Sequence, residues 1–88
     1  MARYEFAAHG TVDGMPQGGA DALLQLGLMY CTGREVEIDL VAAHKWFNLA
    51  AMRGNEDARR YRTDIAAEMT RAQIAKAQRS AREWLKTH

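Results

Sequence analysis

An all-α fold follows from three observations. Ala dominates the second half of the chain and only one Pro occurs in 88 residues, a composition that favours helices over a sheet. Apolar residues beyond Gly19 recur at helical spacing. The breaks between those runs carry residues that stop and start helices, namely Gly33, Asp39, Gly54 and Thr70. A chain of this length makes one small domain with a single modest core.

The first segment, 1–19, reads as an irregular arm. Gly10, Gly14, Pro16, Gly18 and Gly19 punctuate it too densely for a long helix. A first helix is expected over about 20–30, with Ala22, Leu23, Leu26, Gly27 and Tyr30 on its inward face at 100° per residue. Gly27 is unfavourable inside a helix unless another helix approaches closely there. The stretch "CTGREVEID" is a loop, turned by Gly33 and ended by Asp39 as an N-cap. A second helix is expected over about 40–52, where Ala43, Trp46, Phe47, Ala50 and Ala51 place two large rings between small steps. These rings are expected to build the core between the second and third helices. Gly54 stops the second helix, and Asn55, Glu56 and Asp57 suit the positive start of the next. The third helix, expected over about 56–69, presents Ala58, Tyr61, Ile65 and Met69 inward and Arg60, Asp64 and Glu68 as an outward charge ladder. Thr70 and Gln73 form a capping-box pattern, so a fourth helix begins at Arg71. Its inward residues are Ile74, Ala77, Ala81, Trp84 and Leu85, with Arg71, Arg79, Arg82 and Lys86 opposite.

Composition and charge narrow the function. The arm lacks the apolar core of a signal peptide and nothing later approaches a membrane span, so a soluble cytoplasmic protein is expected, with no membrane partner. The lone Cys31 has no partner for a disulfide or a shared metal and reads as a partly buried small residue. Residues 1–52 hold three Lys/Arg against six Asp/Glu, whereas 53–88 hold nine against five. The basic second half gives an alternative reading, a module binding nucleic acid or another polyanion through the C-terminal helices. Solvated Ala-rich helices carry such charge for solubility alone, and nucleic acid is the less favoured partner.

Catalytic constellations are weak. His44 is five residues from Asp39 and is not stacked with it on a helix, while His9 and His88 lie near the ends. No two metal ligands pair convincingly. Ser80 sits among Ala and Arg without a nucleophile elbow, and Gly18-Gly19 has neither a preceding strand nor a following phosphate-binding Lys. A non-enzymatic protein with no metal and no cofactor is expected.

From Ala22 the fixed residues run Leu26-Gly27, Tyr30, Gly33, Val36, Asp39, Ala43, Trp46-Phe47, Ala50-Ala51, Gly54 and Ala58. This pattern closely resembles the Sel-one-like repeat of the tetratricopeptide type, over about forty per cent of the chain. Glu35 stands where the family usually has its second loop Gly, so that turn is either altered or holds a side chain in an unfavourable conformation. After Ala58 the expected Leu-Gly is replaced by Arg62-Thr63, and the later residues look like a terminal segment. The resemblance implies antiparallel helix pairs of an α-solenoid: a helical domain over 20–88, with a full repeat over 20–55 and a degenerate repeat and capping helix over 56–88. It implies a protein–protein interaction adaptor or scaffold that offers a helical surface to a protein or peptide, without a cofactor. With so few repeats, a homodimer or docking onto a larger partner is left open. In the family the first helix lines the concave side. Leu24 and Leu28, about 100–180° from the Leu26 and Tyr30 side, together with Gln25 and Met29 between the two faces, are therefore the expected partner-binding residues, covered by another copy, by a peptide, or by the arm through Tyr4 and Phe6.

Overall fold

The architecture comes from a computed structural model that describes residues 19–88. The arm expected over 1–19, with Tyr4 and Phe6, therefore falls outside the described residues except for Gly19. Four helices follow in order: α1 (Ala20–Thr32), α2 (Leu40–Met52), α3 (Glu56–Ala66) and α4 (Arg71–Thr87). The described residues contain no strand.

The helix starts are set by side chains that satisfy free backbone N–H groups. Asp39 accepts from the Ala42 N–H at 3.0 Å and opens α2. Asn55 accepts from the Ala58 N–H at 2.8 Å and opens α3. At α4 the expected capping box is present, since Thr70 Oγ1 accepts from the Gln73 N–H at 3.1 Å and Gln73 Oε1 accepts from the Thr70 N–H at 2.8 Å. The extended backbone of Thr70 also explains why α3 stops at Ala66, short of the expected end. Residues 67–69 form a turn instead, with the Glu68 N–H donating to Ile65 and the Met69 N–H to Ala66. The outward ladder is consequently broken: Glu68 leaves the helix, and Arg60 pairs with Asp57 at 3.1 Å rather than with Asp64. That pair is solvent-exposed and adds little stability.

α2 is the hub. The principal helix contacts are α1 with α2, α2 with α3, and α2 with α4. The core gathers Leu23, Ala43, Phe47, Leu49, Ala50, Ala58 and Ala81. Its small members let the backbones come near, and Phe47 fills the space between them. Because three helices cover α2, burial extends well beyond the expected stripe. Leu49 and His44 are both buried, although neither lies on the face that includes Ala43 and Phe47.

Three placements differ from expectation. Trp46 does not lie between α2 and α3; it is half-buried and meets Trp84 of α4 edge to face at 5.8 Å. Leu85 and Tyr61 stand partly in solvent at 37% and 36% exposure, since α4 and α3 turn toward α2 and leave those positions on the rim. Tyr61 still stacks on Phe47, with ring centroids 5.3 Å apart. The Trp46–Trp84 contact gives a distinct prediction. Trp46→Ala should loosen α4 from α2 and lower unfolding free energy by about 3 kcal/mol, the low end for a large aromatic, because the ring is only half-buried. Urea unfolding followed by circular dichroism checks this, and a change below about 1 kcal/mol contradicts a docking role for the ring.

Candidate partner-binding surface

The surface to be weighed lies on α1. Leu23 and Gly27 are the buried residues of this helix. A Cβ added at Gly27 would stand 2.5 Å from both Cδ1 and Cε1 of Phe47, so the glycine makes room for that ring. This contact centres the inward face of α1 on Leu23 and Gly27 rather than on Leu26 and Tyr30. Leu24 and Leu28 then flank the buried stripe on one side, and Leu26 and Tyr30 on the other. All four are half-buried and packed against the core, so Leu24 and Leu28 are not on a wholly outer face. Gln25 and Met29 are also half-buried, while Asp21 and Thr32 are exposed. Side-chain hydrogen bonds form at both ends of this helix. Asn55 Nδ2 donates to Asp21 Oδ1 at 3.0 Å, tying the start of α1 to the start of α3, and Thr32 Oγ1 donates to the Leu28 carbonyl at 2.7 Å.

Past α1 the chain turns through Gly33, with φ 80°, and Glu35, with φ 69°. Glu35 thus holds the left-handed conformation that favours glycine, the second of the two alternatives its place in the repeat pattern left open. The N–H groups of Gly33 and Arg34 both donate to the Met29 carbonyl, and that of Asp39 donates to Tyr30 at 3.0 Å. The turn is pinned to α1 at both ends.

Two residues with reactive side chains lie near the repeat's core, Cys31 one turn after Leu28 on α1 and His44 on α2. Cys31 is half-buried, and burial pushes its thiol up from its ordinary value, which disfavours the thiolate. His44 is 3% exposed and its Nδ1 has no hydrogen-bond partner among the described residues. Burial first, and the nearby positive Arg62 second, hold its pKa below the ordinary value, with a contact to its own backbone working the other way. Arg62 itself donates to Asn48 Oδ1 at 2.6 Å. Among the described residues no group of three or more His, Cys, Asp or Glu is placed to hold a metal ion. No described helix is long and apolar enough to cross a membrane.

The buried imidazole predicts a pH effect with a definite sign. A base whose folded pKa is depressed binds its proton more readily in the unfolded state. Its neutral form therefore supports the fold at neutral pH, and stability falls as pH drops below the ordinary histidine value of about 6.5. Thermal unfolding between neutral and mildly acidic pH should show this loss. It should be smaller in His44→Leu, and equal slopes in the two proteins contradict the assignment.

The profile of the Sel1 repeat family matches residues 20–55. The chain carries a Sel1 repeat. The matched segment spans α1, the pinned turn and α2, through the N-cap of α3. No curated protein matches the chain, and no solved structure does. The Sel1 repeat is a tetratricopeptide-like helical repeat, and such repeats generally mediate protein–protein interaction. Its marked residues here have packing roles. Gly27 admits Phe47, Ala43 and Ala50 line the core, Trp46 docks α4, and Asp39 caps α2.

Proposed function

We propose that this chain is a non-enzymatic protein–protein interaction adaptor of the cytoplasm, and that Leu24, Gln25, Leu28 and Met29 on α1 contact a protein or peptide partner without a cofactor. The observation that carries the reading is the position of α1. Its one principal neighbour among the described helices is α2, so the side turned away from α2 has no principal helix against it. That side carries the accessible parts of two Leu, a Met and a Gln, a mixture suited to a modest protein contact. The same face allows a homodimer.

The polyanion reading draws less support. Lys45 lies 4.3 Å from the Trp46 ring and Arg53 5.6 Å from that of Trp84, and His88 stacks on Trp84 at 4.3 Å. These internal neighbours compete with any base for the indole faces.

Two double variants separate contact from packing. Gln25→Lys with Met29→Glu should shift stability by no more than about 1 kcal/mol while weakening partner capture or self-association at least tenfold. Leu24→Lys with Leu28→Lys should weaken binding and also destabilise the fold, because both Leu side chains pack on the core. Mass in solution, partner capture and denaturation provide the readouts. Unchanged capture and mass in the folded Gln25/Met29 variant would sink the proposal.

A further inference from the structure

A second surface lies at the loop end of the repeat and includes none of Leu24, Gln25, Leu28 and Met29. An open groove of about 530 Å³ runs between the 34–39 loop with the first turn of α2 on one side and the α3–α4 turn on the other. Half-buried Tyr30, Val36, Leu40 and Val41 supply the apolar part of a lining that is polar in about equal measure. Ile38 stands on its edge at 63% exposure, the most exposed large hydrophobic residue of the described chain. A Cβ at Gly33 would come within 2.8 Å of Ile38 Cγ1, so the glycine lets this side chain lie close against the turn.

The rim has one sign of charge. Glu37 projects from the loop wall and Glu68 from the opposite wall, and no Lys or Arg lines the groove. Among the described residues neither carboxylate has an ion-pair or hydrogen-bonding partner for its side chain. The other polar side chains are already engaged: Asp39 caps α2, and Gln73 holds the Thr70 N–H. Those caps, together with the hydrogen bonds of the turn to Met29 and Tyr30, fix both walls before any ligand arrives. The groove therefore combines a preformed apolar patch with two unneutralised carboxylates, one from the loop and one from the α3–α4 turn.

We infer that this groove is a docking site for a peptide segment in which an apolar side chain is flanked on both sides by Lys or Arg. The apolar side chain covers Ile38 and Val41, removing exposed hydrocarbon from water. The flanking cations meet Glu37 and Glu68, one on each wall, so the carboxylates are not left desolvated and unpaired when the patch is covered. A neutral apolar segment would leave them so. An acidic peptide or a nucleic acid would be repelled by the same rim.

Backbone-amide NMR of the whole chain tests this with three synthetic peptides of equal length and blocked ends: Lys-Arg-Leu-Ile-Lys-Arg, Glu-Glu-Leu-Ile-Glu-Glu and Lys-Arg-Gly-Ser-Lys-Arg. The first should produce saturable shifts at Val36, Ile38, Val41 and Glu68, weakening as salt rises. The second should produce none, and the third should bind at least tenfold more weakly than the first. Glu37→Lys with Glu68→Lys should reverse the preference between the first two peptides, and Ile38→Ser should weaken the first. The milder pair Glu37→Gln with Glu68→Gln replaces the charge reversal if circular dichroism shows that variant unfolded, and should then abolish the preference. No saturable binding of the first peptide, equal binding of all three, shifts confined to α1, or indifference to the rim substitutions overturns the proposal.

Discussion

Phe47→Ala should remove about 3–5 kcal/mol of stability, enough to unfold much of a domain whose total is on the order of 5–15 kcal/mol. The ring is fully buried, with the α1 backbone at Gly27 on one side and the Tyr61 ring stacked against it. Its loss would leave a void where α1, α2 and α3 converge. The rigid helices around it cannot close such a void without giving up other contacts. Urea denaturation gives the size of the effect if the variant folds, and loss of helical circular dichroism reports it if the variant does not. A folded variant within about 1 kcal/mol of the parent contradicts this description of the core.

The second large effect comes from adding atoms rather than removing them. Gly27→Ala would normally strengthen a helix by about 1 kcal/mol. Here the new methyl would stand 2.5 Å from two ring atoms of Phe47, and Tyr61 stacked against that ring limits its retreat. Overpacking of this kind costs about 1–3 kcal/mol, so a net loss is expected. Gly27→Leu should be worse, at about 3 kcal/mol or more. The companion Phe47→Leu makes the cause testable. In the double variant Gly27→Ala with Phe47→Leu, the penalty for the added methyl should shrink, giving a coupling energy of at least about 1 kcal/mol. Additive effects would place the strain elsewhere.

Local signals in the sequence described the helices well and their assembly less well. Asp39, Thr70 and Gln73 were readable as caps because capping depends on residues at fixed short spacing. Gly27 was readable as a close approach because a glycine inside a helix needs a reason. Periodicity alone underestimated α2, which three helices cover. A one-sided stripe cannot announce Leu49 or His44 as buried. It also misassigned Trp46, since the spacing of a ring along its own helix does not say which of several neighbours receives it. On α1 the apolar residues run nearly all round, so the inward direction was set by the Gly27–Phe47 contact, not by the pattern. The loop-end groove was invisible for a related reason: it joins Ile38 and Val41 to Glu68 and Gln73, residues far apart in sequence.

Site-specific photo-crosslinking in the native cell asks directly whether α1 offers the partner surface. A photoreactive phenylalanine analogue replaces Met29 in one variant and Lys76, on the exposed side of α4, in another. If α1 carries the contact, position 29 gives a discrete protein adduct, diminished by Gln25→Lys, and position 76 a much weaker one. A folded protein that crosslinks from position 76 but not from position 29 would contradict it.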